Sequence, residues 1–116
     1  MRKAETAFLQ HALDACQRIA QFAPDYRADE LRADPKAARA VLFEIVVIGE
    51  ALGRIGPEMR SRLPALPWRE AIGMRNRLVH AYDEIDYDRV AFAIAVSIPR
   101  LALQLAQAIA QEGDGP

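Results

Sequence analysis

The fold of this 116-residue chain is decided by the stretch Val41-Leu42-Phe43-Glu44-Ile45-Val46-Val47-Ile48-Gly49, which is apolar almost all round. It follows a clear helix start at Asp34-Pro35, with Asp as the N-cap and Pro in the first helical position. Gly56-Pro57 provides the stop signal. We therefore predict one long helix from residue 35 to about residue 55. A helix with apolar residues on nearly every side must be covered on most sides, and this requirement favours a partner subunit.

Two residues near the end of this predicted helix depart from its apolar character. Gly49 is about 1 kcal/mol less favourable than Ala inside a helix. We expect that another backbone approaches closely there and compensates. Glu50 is expected to be a buried carboxylate paired with an arginine. The alternative is that Glu50 orients Arg75 or Arg77 in a functional cleft.

The rest of the chain is also predicted to be helical. Apolar residues recur at helical spacing over residues 3–22, and Pro24-Asp25 ends that helix. The other predicted elements are a short helix or turn at 26–33, a turn at 57–62, a rigid loop at 63–67, a helix at 68–79, a connection at 83–85 and a last helix, capped by Asp86, that ends near 111. Pro99 should kink the last helix, and residues 113–116 should be frayed. We predict an all-α fold: one domain, residues 1–116, forming an up-and-down bundle of four main helices.

Composition limits the possible partners and compartment. The net charge of −1 gives no general attraction to nucleic acid or to an acidic membrane. The basic residues are almost all arginine, which suits bidentate phosphate or carboxylate contacts; the alternative is that this bias only reflects a GC-rich genome. Cys16 is the only cysteine, so we expect a buried thiol in a reducing compartment. No signal peptide is recognisable, and the strongly apolar stretch from Val41 to Leu52 is far shorter than a membrane span and is interrupted by Glu44 and Glu50. We expect a soluble, cytoplasmic protein without membrane contact.

Groups that can bind a phosphate or move a proton are concentrated in Gly73-Met74-Arg75-Asn76-Arg77-Leu78-Val79-His80-Ala81-Tyr82. Arg75 and His80 are five residues apart, which is about 140° of rotation on an ideal helix. Asn76 and His80 are four apart and could touch. Tyr82 would return to the face of Arg75 if the helix continued that far. The surroundings are basic, since residues 54–77 contain six arginines and two glutamates.

This cluster could support cleavage of a phosphodiester bond. A histidine titrates near neutrality and can take a proton from a ribose 2′-OH. An arginine can stabilise the negative charge that develops on the phosphate. With the 2′-OH as nucleophile no metal is needed, so we expect neither a metal nor a cofactor. The simpler alternative is that His80 ends a helix, Tyr82 packs and the arginines are solvated.

Four motifs in order resemble those of one family. Arg75-Asn76-Arg77-Leu78-Val79-His80-Ala81-Tyr82 resembles the R-x4-6-H motif of HEPN-domain proteins, in the R-x4-H-x-Y form of HepT-like toxins (the DUF86 group). Ile48-Gly49-Glu50-Ala51 is similar to the GEA of the central helix of that family. Leu66-Pro67-Trp68-Arg69 is similar to the Pro-Trp before the motif helix, and Tyr82-Asp83-Glu84-Ile85-Asp86 to its acidic link. The R-x4-H alone is a weak signal, but the ordered set is specific.

The resemblance implies a homodimeric HEPN-like bundle in which Arg75 and His80 of both subunits line one cleft. It implies a metal-independent ribonuclease toxin acting on mRNA or tRNA, with Asn76 and Arg77 as supporting, RNA-binding residues. It also implies a cognate antitoxin, a nucleotidyltransferase of the MntA type, that AMPylates Tyr82 and so blocks the cleft. A second hypothesis is a non-catalytic helical dimer that serves as docking partner and modification target of the nucleotidyltransferase.

Overall fold

The computed structural model describes residues 2–113, and every regular element in that range is helical. The elements are α1 (Arg2–Phe22), α2 (Ala28–Ala33), α3 (Pro35–Gly53), α4 (Pro57–Arg62), α5 (Trp68–His80), α6 (Tyr87–Phe92), a π-helical turn (Ala93–Ser97) and α7 (Ile98–Gly113). The last three form one continuous helix, Tyr87–Gly113, which we call the last helix. The predicted all-α bundle is confirmed. Of the residues predicted to fray, Gly113 ends α7, and 114–116 lie outside the described residues.

Helix α3 is the most deeply covered element of the bundle. Its start is confirmed, because the Asp34 side chain accepts a hydrogen bond from the Ala37 N–H at 3.1 Å and Pro35 follows the cap. It ends at Gly53, two residues earlier than predicted, where the Arg54 N–H turns back to the carbonyls of the preceding turn. Its eight buried residues are Ala38, Val41, Glu44, Ile45, Ile48, Gly49, Ala51 and Leu52. Helices α1, α2 and α5 pack against α3.

Glu44 is a buried carboxylate on α3 and is 6% exposed. Arg18 Nε of α1 lies 3.0 Å from Glu44 Oε1, although the two atoms are not aligned for a hydrogen bond. The prediction of a buried carboxylate at Glu50 is wrong, since its side chain is 43% exposed. An apolar run shows that a helix is covered, but the face that is left open depends on how the neighbouring helices cross it.

Cys16 confirms its predicted place in the core, where it is 2% exposed. Burial raises the pKa of its thiol to about 12. The thiolate is the reactive form of cysteine, so this side chain is a packing group and not a nucleophile.

The last helix begins as predicted, with the Asp86 side chain accepting hydrogen bonds from the N–H groups of Asp88 and Arg89. A π-helical turn precedes Pro99, and in it the Ile98 N–H bonds to the Ala93 carbonyl. A proline clashes with the carbonyl four residues before it, and the wider turn accommodates this clash without breaking the helix.

By length and composition, the last helix is the one helix within residues 2–113 that could cross a membrane. Core helices of soluble proteins share this length and composition, so neither by itself indicates a membrane span. One face of the helix packs on α1. The other face exposes three large apolar side chains, Phe92, Val96 and Leu103.

Candidate active site

Helix α5 carries the candidate residues and is fixed at its start by Trp68. The indole Nε1 donates a hydrogen bond to the Leu63 carbonyl at 3.0 Å. The guanidinium of Arg60 lies over the indole ring, 5.4 Å from its centroid. Trp68 therefore anchors the start of α5. Beyond this start, α5 rests mainly on α3 and has no fully buried residue of its own.

Arg75 lies where α5 crosses α3 most closely. A Cβ atom at Gly49 would overlap the Cβ of Arg75, and it would lie 2.9 Å from Arg75 Cγ and 3.0 Å from the Ala71 carbonyl oxygen. No side chain fits in that space. The prediction that Gly49 allows close approach of another backbone is confirmed, and the residue it admits is the candidate catalytic arginine.

The Arg75 guanidinium is held by two neighbours. Its Nη2 lies 2.5 Å from Glu50 Oε1, and its Nη1 donates to Asn76 Oδ1 at 2.9 Å. Its Nε is buried and has no hydrogen-bond partner. Glu50 was expected either to be a buried carboxylate paired with an arginine or to orient Arg75 or Arg77. The structure supports a contact with Arg75 near the surface. The side chain of Arg75 is 28% exposed, so a ligand can reach the guanidinium.

His80 is the last residue of α5 and is exposed. Because the helix is continuous from Arg75 to His80, the rotation of about 140° between them holds. The two side chains of one chain therefore point to different sides of α5. Asn76 and His80 could touch at this spacing but share no hydrogen bond among the described side chains, and the Asn76 amide oxygen accepts one from Arg75.

Tyr82 lies outside α5. The helix therefore does not continue far enough to bring Tyr82 to the same face as Arg75. The helix stops because Ala81 leaves the helical region at φ −131° and ψ 44°. Tyr82 is 76% exposed on the following turn. Tyr82 borders a cleft of about 430 Å³ that Arg39 and Phe43 of α3 also line.

Arg77 is exposed. It borders a cleft of about 330 Å³ that also contains Glu84 and Asp86. No carboxylate of the described side chains lies within ion-pair distance of Arg77, so the alternative that it pairs with the acidic link is not seen. Arg77 also borders a cleft of about 620 Å³ between α5 and the last helix. Neither Arg75 nor His80 borders any of these three clefts.

An apolar surface runs beside the Glu50–Arg75 pair. Phe43 is 64% exposed, and Val46 and Val47 are half-buried. Residues three or four apart share a helix face, so these side chains lie on the same side of α3 as Glu50. Val79 of α5 adds a further exposed side chain at 42%. The apolar character of α3 predicted a partner but did not locate this face.

Metal ligands are not clustered at the site. Within the described part of the chain, no group of three or more His, Cys, Asp or Glu side chains could hold a metal ion. The groups that the site offers are the Arg75 guanidinium, the His80 imidazole, the Asn76 amide and the Tyr82 phenol.

A family model described as "Ribonuclease HepT-like" matches residues 12–108. The chain belongs to the HepT-like ribonuclease family. The match spans α3, α5 and the acidic link, and so includes every motif that carried the resemblance.

Relatives of this HepT-like chain carry ribonuclease names. "Putative RNase TTE0752" of Caldanaerobacter subterraneus subsp. tengcongensis is 28% identical over 95% of this chain and 98% of its own length. "Probable ribonuclease HepT" of Thermococcus cleftensis is 29% identical over 87% of this chain and 92% of its own. "Putative RNase MJ0125" of Methanocaldococcus jannaschii is 33% identical over 82% of each. No solved structure matches the chain.

Proposed function

We propose that this HepT-like chain is a metal-independent endoribonuclease, the toxin of a toxin–antitoxin pair, which cuts RNA in a cleft between two copies of the chain. One observation carries the proposal. Arg75 is fixed in the α3–α5 seam by Glu50 and Asn76, and His80 follows on the same helix. Family membership makes RNA the substrate class to test first.

The proposed reaction uses the ribose 2′-OH as nucleophile. His80 accepts the 2′-OH proton as the oxygen attacks phosphorus, and a protonated histidine returns a proton to the departing 5′-oxygen. The products are a 2′,3′-cyclic phosphate and a 5′-OH. Arg75 stabilises the extra negative charge on the phosphate in the transition state. Asn76 supports Arg75, and Arg77 contacts the RNA further along.

The proposed dimer buries the apolar surface beside Arg75. Pairing this face with its own copy would bring two α5 helices together and place His80 of each subunit near Arg75 of the other. This arrangement overcomes the rotation of about 140° that separates the two side chains within one helix.

Size-exclusion chromatography with light scattering tests which face forms the dimer. Phe43→Glu places a charge in the proposed interface and should yield a monomer. Leu103→Glu is the matched control, since Leu103 is 69% exposed but lies on the last helix. A dimer that survives Phe43→Glu and is lost in Leu103→Glu would overturn this assignment.

Catalysis is tested by incubating tRNA and mRNA with purified protein in EDTA. Arg75→Ala and His80→Ala should lose cleavage. Arg69→Ala and His11→Ala change the same residue types at exposed positions outside the site and should cleave like the wild type. Equal cleavage by all five proteins, or cleavage by none, would remove the catalytic proposal.

Tyr82 is the proposed acceptor of AMP from a MntA-type nucleotidyltransferase. Its phenol oxygen would bond to the α-phosphorus of ATP while the bond to pyrophosphate breaks and the phenol loses its proton. The exposure of Tyr82 supports this role, since an enzyme must reach the oxygen. The added bulk and negative charge would lie two residues from His80 and repel RNA. Because RNA and ATP are both found in the cytoplasm, we propose that the protein acts there.

Mass spectrometry of protein co-expressed with an active nucleotidyltransferase tests this step. The Tyr82 peptide should gain one or more AMP groups, and Tyr82→Phe should gain none. Tyr87 serves as an internal control, because it is half-buried beneath the Arg32 guanidinium. An unmodified Tyr82 would exclude AMPylation there.

A non-catalytic dimer that docks the nucleotidyltransferase is the second candidate. It is favoured by the engagement of Arg75 with Glu50, because this ion pair already occupies one Nη atom of the candidate catalytic guanidinium. Growth arrest that is unaffected by Arg75→Ala and His80→Ala, with partner binding retained, would support it. Arrest that both substitutions abolish would support the ribonuclease.

A further inference from the structure

We propose that Glu50 is a positioning residue that sets the orientation of the Arg75 guanidinium, and that Gly49 is the opening through which Arg75 reaches it. This inference rests on the proposed ribonuclease function and adds to it a residue outside the R-x4-H-x-Y motif. It assigns to α3, the covered helix, a direct part in shaping the site on α5.

Gly49 dictates the path of the Arg75 side chain. The Cβ and Cγ of Arg75 occupy the space that a side chain at position 49 would fill. Arg75 therefore crosses the backbone of α3 before its guanidinium emerges beyond it. Its Nε stays buried in the seam without a hydrogen-bond partner. Water cannot hold this part of the side chain, so the orientation of the guanidinium must come from groups at its other end.

Glu50 and Asn76 are those groups. Glu50 contacts Nη2, and Asn76 accepts from Nη1. A guanidinium has five N–H donors, two of them on each Nη atom. Each Nη thus retains one N–H that can bind a phosphate oxygen. The contact with Glu50 is an ion pair, so it draws Nη2 towards the carboxylate and restricts the guanidinium more than a neutral partner could.

A carboxylate beside a phosphate site has two opposite effects. It can hold the arginine in place before RNA arrives, which favours the reaction because the guanidinium does not have to be ordered in the transition state. It can also repel the phosphate. The Glu50 side chain is 43% exposed, so solvent and salt screen the repulsion, whereas the short contact with Arg75 persists. We therefore assign the positioning effect to Glu50 and not an inhibitory one.

Single-turnover cleavage of a single-stranded RNA oligonucleotide measures the effect. Glu50→Ala should slow the cleavage step by on the order of 10- to 100-fold, because a misplaced catalytic group has costs of that size. Glu50→Gln retains an acceptor oxygen and should lose less. Glu70→Ala is the control, since Glu70 is an exposed acid in the first turn of α5, and it should cleave like the wild type.

A second measurement does not depend on activity. The buried Nε–H of Arg75 should give a distinct, slowly exchanging ¹⁵N–¹H resonance in the wild-type protein, assigned by its absence from Arg75→Lys. In Glu50→Ala this resonance should shift and exchange with water faster, while Glu70→Ala should leave it unchanged.

The two measurements separate the possible failures. An unchanged resonance in Glu50→Ala, or a cleavage rate equal to or above that of the wild type, would overturn the role of Glu50. If wild-type protein cuts no RNA, the proposed function fails, and the resonance alone decides whether Glu50 places Arg75.

Discussion

Helices α3 and α5 pack against each other but differ in how they are covered. Eight residues of α3 are buried, among them Val41, Ile45 and Leu52, whereas no residue of α5 is buried. Helix α3 lies between α1 and α5 and is also contacted by α2, but α5 rests mainly on α3. The candidate catalytic residues all lie on or just beyond the less covered helix.

This difference indicates a division of roles. The packing of α3 with its neighbours stabilises the bundle, whereas the outward faces of α5 carry polar groups. Gly49-Glu50 joins the two roles, because the covered helix there both admits Arg75 and binds its guanidinium. Substitutions elsewhere in α3 should therefore affect folding alone, whereas substitutions at this pair should also affect the site.

The largest expected effect concerns the leucines of the two helices. Leu52→Ala removes a side chain that is 0% exposed and should lower the free energy of unfolding by about 2–5 kcal/mol. Leu78→Ala makes the same change at a half-buried position of α5 and should lower it by no more than about half as much. Urea unfolding followed by circular dichroism measures both values. Equal losses would contradict the difference between the helices.

A smaller effect is expected from two glycines of α3. Gly49→Ala forces the new methyl group against Arg75 and should destabilise the protein by about 1–3 kcal/mol. Gly53→Ala meets only Ile72 Cγ1 at 4.0 Å and should stabilise the protein by up to about 1 kcal/mol through helix propensity. Thermal unfolding compares the two variants. Stabilisation by both would show that α5 does not approach α3 as closely as described.

The smallest effect concerns the start of α3. Asp34→Ala removes the acceptor of the Ala37 N–H and should cost about 1 kcal/mol, while Asp34→Asn keeps an acceptor and should cost only a few tenths. Helix α5 begins without a side-chain cap, so it has no equivalent to lose. Urea unfolding of both variants checks this prediction. Equal losses would mean that the charge of Asp34 matters more than its hydrogen bond.

Local signals in the sequence predicted most of α3, including its cap and the role of Gly49. They were reliable because a cap, a proline and a glycine act within a turn of their own position. The sequence could not predict that Glu50 is the open position and Glu44 the buried one, since that depends on where α1 and α5 cross α3. The π-helical turn was also missed, although Pro99 signalled that the helix must adjust nearby.

The sequence predicted which residues form the site but not how they lie relative to one another. The segment around Arg75 and His80 was found from its residue types and from the motif. The helix predicted at 68–79 already ends before Tyr82, and the structure ends α5 at His80, where the backbone of Ala81 leaves the helical region. The spacing allows Asn76 to touch His80, but the Asn76 amide oxygen accepts a hydrogen bond from its neighbour Arg75.

Subunit mixing tests most directly whether one chain holds only half of the working cleft. Arg75→Ala and His80→Ala proteins, each inactive alone, are unfolded together, refolded as mixed dimers and assayed for RNA cleavage. If Arg75 of one subunit works with His80 of the other, half of the dimers regain one of two sites, so about a quarter of the wild-type activity should return. Mixed dimers that form, as shown by differently tagged subunits, but remain as inactive as the parent proteins would contradict the shared cleft.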